Sequence, residues 1–108
     1  MTDAFAAAAE PTRRRILQLL ARGPHYAGDI AGHFDVTRSA VSQHLGVLAE
    51  AGLVAAERQG RQRLYRIDPS GIARLQAEIS SFWTHELDEL VRDAHQVATI
   101  STATEEKP

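Results

Sequence analysis

Residues 37–54 show the clearest pattern of apolar and polar positions in this chain. Leu45 and Leu48 follow Val41 at spacings of four and seven residues, which puts the three side chains on one side of an α-helix that ends at Gly52. The opposite side carries small or hydrogen-bonding uncharged residues, namely Ser39, Ser42, Gln43 and Gly46. A solvated helix would carry Lys and Glu there, so this side predicts close contact with a surface that is read in detail, such as the base edges of DNA.

Helical and strand patterns divide the rest of the chain around this segment. Helices are predicted over residues 3–9, 11–22, 26–34 and 70–98, and two β-prone runs, 53–58 and 63–67, flank a turn that contains Gly60. Only a short turn separates the helix at 26–34 from the helix at 37–54, which is typical of a helix-turn-helix. The predicted fold is mainly α with a small β-hairpin, a winged helix-turn-helix whose wing is the hairpin.

The long last helix carries more apolar surface than a chain of 108 residues buries easily by itself. Two slightly rotated apolar stripes run along it, one from Ile72 to Phe82 and one from Trp83 to Val97. We expect part of this surface to pack against the same helix of a second copy, in a homodimer. The residues predicted for that contact are Ile79, Phe82, Trp83, Leu87 and Leu90.

The formal net charge of -2 is unevenly distributed along the chain. Residues 11–66 hold nine arginines against four acidic residues, a net charge of +5, whereas residues 67–108 carry a net charge of -5. Attraction to phosphate acts over a Debye length of about 8–10 Å, so the local positive charge matters more for DNA than the total does. The basic half therefore favours a nucleic-acid partner.

The composition excludes several other classes of protein. The absence of cysteine removes disulfides, thiolate metal sites and cysteine nucleophiles, and no nucleophile motif or glycine-rich phosphate loop is present, so we expect neither an enzyme nor a cofactor. The alanine run at residues 6–9 is too short to cross a bilayer, so we expect no membrane segment and a cytoplasmic location. We expect one domain over residues 1–98, followed by a polar, disordered tail over residues 99–108.

The order of these elements resembles the winged-helix repressors of the ArsR family, also called the ArsR/SmtB family. The segments that carry the resemblance are PTRRRILQLL, VSQHLGVLAEAGLV, RQGRQRLYRID and FWTHELDEL, the last being most similar to the subgroup without thiolate sites. The resemblance implies a homodimer built from the first and last helices, which adds Phe5 to the expected interface. It also implies a repressor that binds an inverted-repeat DNA operator.

The chain departs from the metal-sensing members of this family at both of their common sites. Their cysteine motif falls here on HYAGDIAG, which has no thiol, and at the start of the last helix only Asp68 is able to coordinate a metal ion. His85 with Asp88 or Glu89 has a suitable spacing, but the acidic faces of long helices are usually just solvated. No metal site is therefore predicted.

The candidate DNA contacts lie in the helix at residues 37–54 and in the wing. Gln43 is the main candidate for reading a base, because Gln forms two hydrogen bonds with adenine, whereas Arg38 lies at the helix N-terminus, where it meets phosphate. His44 lies on the flank, where it either contacts DNA or takes a half-buried, hydrogen-bonded position. The complete predicted set is Thr37, Arg38, Ser39, Ser42, Gln43, His44, Arg58, Arg61 and Arg63.

Two alternative functions remain open from the sequence. The same fold can act as an effector- or metal-responsive sensor through the last helix, where Phe82 and Trp83 would line an apolar pocket. It can also bind another protein through its winged-helix surface, in which case replacing Gln43 and Arg61 by alanine would leave DNA affinity unchanged.

Overall fold

A computed structural model describes the backbone of residues 3–105 and the side chains of residues 3–97. Its elements are α1 (Ala4–Ala9), α2 (Pro11–Leu20), β1 (His25–Tyr26), α3 (Ala27–Gly32), α4 (Arg38–Glu50), β2 (Val54–Gln59), β3 (Gln62–Ile67) and α5 (Pro69–Glu105). The chain divides after Leu75 into a first unit, which holds α1 to β3 and the start of α5, and a second unit formed by the rest of α5. This order confirms a mainly α winged helix-turn-helix fold.

The core of the first unit lies between α2, α3, α4 and the start of the hairpin. The six largest side chains that are less than 2% exposed are Ile16, Ile30, Val41, Leu45, Leu48 and Leu53. Three of the six belong to α4, at the spacing that the sequence predicts. Burial of each large aliphatic side chain contributes about 1.5–3 kcal/mol, so together these residues hold α4 in one rotation about its axis.

Both ends of α4 are capped, and the helix ends at Gly52 as the sequence predicts. The hydroxyl of Thr37 accepts a hydrogen bond from the amide of Ala40 at 3.0 Å, which satisfies one of the free amides of the first turn. At the other end Gly52 has a positive φ of 80°, and the amide of Leu53 donates to the carbonyl of Leu48 at 3.0 Å. This pattern is the Schellman motif, which ends the helix and redirects the chain into β2.

The sheet has three antiparallel strands in the order β1-β3-β2. β2 and β3 pair over all six residues of each strand, which confirms the predicted hairpin. β1 is not predicted by the sequence, because a two-residue strand shows no alternation and depends on its pairing with β3. The helix predicted over residues 26–34 is correspondingly shorter, since α3 begins at Ala27 and ends at Gly32.

α5 continues to Glu105, past the end that the apolar stripes predict at residue 98. Residues 99–105 contain neither Gly nor Pro, so no strong helix breaker ends α5 before Glu105. The tail expected to begin at residue 99 is therefore helical as far as Glu105. Residues 106–108 of the expected tail lie outside the described residues.

The first turn of α5 lies directly against the end of α4. Asp68 caps this turn, and its carboxylate accepts hydrogen bonds from the hydroxyl and the amide of Ser70 at 2.7 and 3.0 Å. The bond from the Ser70 hydroxyl is the main reason why the pKa of Asp68 is lowered. A Cβ atom at Gly71 would overlap the backbone carbonyl of Gly52, so only glycine fits there.

We therefore expect the Gly71→Ala substitution to destabilise the fold. The added methyl group overlaps backbone atoms that cannot rotate away, and overpacking of this kind costs about 1–3 kcal/mol or more. Gly46→Ala is the matched control, because nothing lies within 4 Å of its Cβ position and Ala is favoured over Gly inside a helix by roughly 0.5–1 kcal/mol. Urea unfolding followed by circular dichroism measures both variants. Equal stability of the two variants would contradict the packing of α5 on Gly52.

Glu10 caps α2, and its state of ionisation affects stability. Its carboxylate accepts a hydrogen bond from the amide of Arg13 at 2.8 Å, and this bond lowers the pKa of Glu10 below its ordinary value of 4.5. Because the pKa is lower in the folded chain, the carboxylate stabilises the fold above pH 4.5. That contribution is lost as the pH falls through the folded-state pKa.

The Glu10→Gln variant is accordingly expected to be less stable than the wild type at pH 7, by up to about 1 kcal/mol. The difference in the free energy of unfolding shrinks as the pH falls below the ordinary pKa of Glu10, because the wild-type carboxylate then becomes neutral as well. Thermal unfolding of both proteins between neutral and acidic pH measures this difference. A difference that is independent of pH would show that the ionised cap contributes nothing.

Candidate nucleic-acid interface

α3 and α4 form a helix-turn-helix, and the outer side of α4 is open to solvent. The exposed positions on this side are Arg38, Ser39, Ser42, Gln43 and Gly46. Burial of the opposite side in the core fixes this orientation. Because Gly46 has no atom within 4 Å of its Cβ position, a ligand surface can approach the helix backbone closely at this point.

The pairing of β2 with β3 puts arginines on the face of the hairpin that continues the core. Arg58 lies opposite Arg63, on the same face as the buried Tyr65 and two residues nearer to the turn. Gly60 has a positive φ of 64° at the first of the two loop positions, as in a type II′ hairpin, and Arg61 occupies the second. The core-facing side of the hairpin therefore becomes a basic surface where the hairpin leaves the core.

A cleft of about 530 Å³ lies between α3, α4 and this part of the wing. Its lining residues are Ala27, Gly28, Ala31, Arg38, Val41, Ser42, Arg58, Arg61, Gln62, Arg63 and Tyr65. The lining thus combines four arginines with several apolar side chains and contains no acidic residue. Clustered positive charge in a concave surface attracts anions such as phosphate groups.

Gly28 allows one of these arginines to lie close to α3. A Cβ atom at this position would be 3.0 Å from a guanidinium nitrogen of Arg38, which is tighter than an ordinary van der Waals contact. The side chain of Arg38 therefore extends along the first helix of the motif. Gly28 was not singled out from the sequence, because the contact joins two helices and has no local signal.

The outer face of the sheet carries the acidic residue of the hairpin. Glu57 accepts a hydrogen bond from Arg66 at 3.4 Å, and the two residues lie on the face opposite to Arg58 and Arg63. The pair is solvent-exposed, so it contributes little to stability. Its position nevertheless keeps the negative charge of Glu57 away from the cleft and its four arginines.

The structure places His44 at the junction of α1 and α2. Its side chain is 22% exposed, and its Nδ1 atom lies 3.3 Å from a guanidinium nitrogen of Arg13 and 3.9 Å from the carboxylate of Glu10. Arg13 also donates to the carbonyl of Ala7 at 2.7 Å, so it helps to cap α1. Of the two positions that the sequence left open for His44, the structure shows the half-buried, hydrogen-bonded one.

The nine predicted DNA contacts thus fall into three groups. Five of them line the cleft, namely Arg38, Ser42, Arg58, Arg61 and Arg63. Ser39 and Gln43 are exposed on the outer side of α4, and Thr37 caps its first turn. His44 is turned toward α1 and α2.

The apolar residues of the second unit are largely exposed. Trp83 is 48% exposed and Leu90 is 60% exposed, and the rings of Phe82 and Trp83 meet edge to face with centroids 5.3 Å apart. Ile79 and Leu87 are half-buried. Phe5, in the first unit, is also exposed. Exposed apolar side chains in such numbers are typical of a surface that another protein chain covers.

The described residues contain neither a metal-binding cluster nor a membrane-spanning helix. Within residues 3–97, no three His, Cys, Asp or Glu side chains come together in a group able to hold a metal ion. Among the helices described, none is both long enough and apolar enough to cross a membrane.

Known proteins provide an independent comparison. Residues 10–56 match the family model described as "Bacterial regulatory protein, arsR family". The chain is 45% identical over 84 residues to the HTH-type transcriptional regulator Rv2034 of Mycobacterium tuberculosis, a match that covers 78% of each chain. It is 40% identical over 68 residues to the transcriptional repressor SdpR of Bacillus subtilis, covering 63% of this chain and 76% of that one.

A solved structure described as "Possible transcriptional regulator for arsenical resistance" shares 54% sequence identity and superposes with a TM-score of 0.76. The superposition covers 86% of this chain and 97% of that chain. These relatives are DNA-binding regulators of transcription and not enzymes, in agreement with the open cleft and the exposed side of α4. The chain belongs to the arsR family of bacterial regulatory proteins and is a DNA-binding transcriptional regulator.

Proposed function

We propose that the chain is a cytoplasmic, homodimeric repressor that binds an inverted-repeat DNA operator. The cleft carries this proposal, because it combines four arginines from α4 and the wing with the exposed polar side of α4. The similarity to a relative named as a transcriptional repressor supports repression of transcription.

In this proposal α4 enters the major groove. Ser39, Ser42 and Gln43 reach the base edges, and a Gln side chain paired with adenine discriminates between bases by about 1–3 kcal/mol. Thr37 and Arg38 lie at the N-terminus of α4, where amide groups and a guanidinium group meet phosphate. His44 is assigned no DNA contact, because its ring nitrogen lies beside Arg13 and Glu10.

The wing supplies the contacts to the DNA backbone, which do not depend on the base sequence of the DNA. Arg58, Arg61 and Arg63 line the cleft opposite α4. In this proposal they contact the DNA backbone while α4 lies in the groove. Guanidinium groups bind phosphate with two hydrogen bonds and also enter a neighbouring minor groove. The wing therefore contributes affinity, whereas α4 contributes the choice of sequence.

The exposed apolar residues of α5 support the homodimer. Trp83 and Leu90 are about half exposed or more, and a second copy would bury them together with Phe5 and the half-buried Ile79 and Leu87. A two-fold dimer presents two copies of α4 to two half-sites about one helical turn, roughly 34 Å, apart. An inverted repeat matches that symmetry.

A comparison of Arg61→Gln with Arg66→Gln tests the DNA interface. Both variants lose one positive charge from the hairpin, but Arg61 lines the cleft and Arg66 lies on the outer face beside Glu57. We expect Arg61→Gln to weaken binding to all sequences and to lower the slope of log affinity against log salt by about one, while Arg66→Gln has a much smaller effect. Fluorescence anisotropy with a duplex that the wild type selects from a randomised pool measures both. Equal effects would remove the wing from the interface, and a wild type that selects no sequence would overturn operator binding.

Replacement of Trp83 by alanine tests the dimer. We expect the dissociation constant of the dimer to rise at least roughly tenfold, because a large aromatic residue at the centre of an interface typically contributes more than 1 kcal/mol. Affinity for the selected duplex then falls as well, since one copy of α4 occupies only one half-site. His85→Ala, two residues away on the other side of the helix, is the control. Sedimentation mass and DNA affinity that are the same for both variants would contradict the assigned interface.

A further inference from the structure

The tip of the wing extends past the third strand of the sheet. β1 pairs with β3 only as far as Leu64, whereas the hairpin continues for two more rows, which pair Arg58 with Arg63 and Gln59 with Gln62. A two-stranded ribbon is marginally stable in water by itself. The arginines of the wing therefore belong to the least supported part of the sheet.

One side chain reaches from β1 to this unsupported end. The hydroxyl group of Tyr26 donates a hydrogen bond to Oε1 of Gln59 at 2.8 Å, across β3. Gln59 is the last residue of β2 and directly precedes the turn. The bond lies on the outer face of the sheet, opposite to Arg58 and Arg63, so it supports the wing without occupying the cleft.

Tyr26 also occupies the N-cap position of α3, but its side chain does not cap that helix. Such positions usually hold Ser, Thr, Asp or Asn, whose short side chains satisfy a free amide of the first turn. The hydroxyl group of Tyr26 instead bonds to the wing. This residue thus connects the first helix of the helix-turn-helix with the wing on the other side of the cleft.

The charges in the cleft work against a fixed wing. Arg38 lines the cleft from α4, and Arg58, Arg61 and Arg63 line it from the wing, with no acidic residue in the lining. These like charges repel each other, so in the absence of DNA they favour movement of the wing away from α4. A hydrogen bond between β1 and the last row of the hairpin opposes that movement.

We propose that Tyr26 is a positioning residue for DNA binding, which holds the wing arginines at the distance from α4 that a DNA strand requires. The role rests on the proposed function, because it assumes that the cleft binds DNA. Tyr26 acts through Gln59 and the wing and makes no contact with DNA itself.

The test uses the full chain and a labelled duplex that the wild type selects from a randomised pool. Tyr26→Phe removes only the hydroxyl group, and we expect it to weaken DNA binding roughly two- to tenfold, as for one lost hydrogen bond, with little change in the thermal midpoint. Gln59→Ala is expected to have the same effect. Because both variants break the same hydrogen bond, the double variant is expected to bind DNA no more weakly than either single variant.

A second double-mutant cycle, which combines Tyr26→Phe with Arg61→Gln, tests whether Tyr26 acts through the wing. In an Arg61→Gln background we expect Tyr26→Phe to have a smaller effect than in the wild type, because part of the wing's contribution is already lost. The control is the charge-neutral double variant Glu57→Gln/Arg66→Gln, which breaks the other hydrogen bond on the outer face and is expected to bind like the wild type.

Wild-type affinity in Tyr26→Phe would overturn the positioning role, and so would an equal loss in both backgrounds. If the wild type binds its duplex and Arg61→Gln weakens that binding while Tyr26→Phe does not, only the role of Tyr26 fails. If the wild type selects no duplex, the proposed function fails and the role of Tyr26 fails with it.

Discussion

Burial of one side of α4 determines how the other elements of the first unit are arranged around it. Val41, Leu45 and Leu48 are at most 1% exposed, and any rotation of the helix would bring apolar side chains into water. The Thr37 cap and the Schellman motif at Gly52 fix its ends as well. With its rotation and length both fixed, α4 presents one polar side to solvent, and in the proposed function this side reads the operator.

The alternation of side chains along β2 and β3 places the wing arginines in the cleft. Tyr65 is buried in the core, and Arg63, two residues earlier on the same face, comes to line the cleft beside α4. The outer face of the sheet carries two hydrogen-bonded pairs, Glu57 with Arg66 and Gln59 with Tyr26. The hairpin thus has its arginines Arg58 and Arg63 on the face that continues into the cleft and these two hydrogen-bonded pairs on the opposite face.

Local patterns predicted those parts of the fold that local physics determines. The apolar spacing of α4, its end at Gly52 and the glycine turn of the wing are each encoded within a few residues, and the structure confirms them. β1, the bond between Tyr26 and Gln59, the contact of His44 with Arg13 and the packing of Gly71 on Gly52 join residues that are distant in sequence. No local pattern encodes such contacts, which depend on how the finished elements pack.

In the proposed function, α4 and the wing form one DNA-binding surface across the cleft. An NMR titration of the arginine Nε–H groups with a selected duplex tests it most directly, because each guanidinium group reports on its own surroundings. We expect large shifts for Arg38, Arg58, Arg61 and Arg63, which line the cleft, and little change for Arg66 on the outer face. Shifts of Arg66 as large as those of the cleft arginines, or no shift in the wing, would contradict a shared DNA-binding surface.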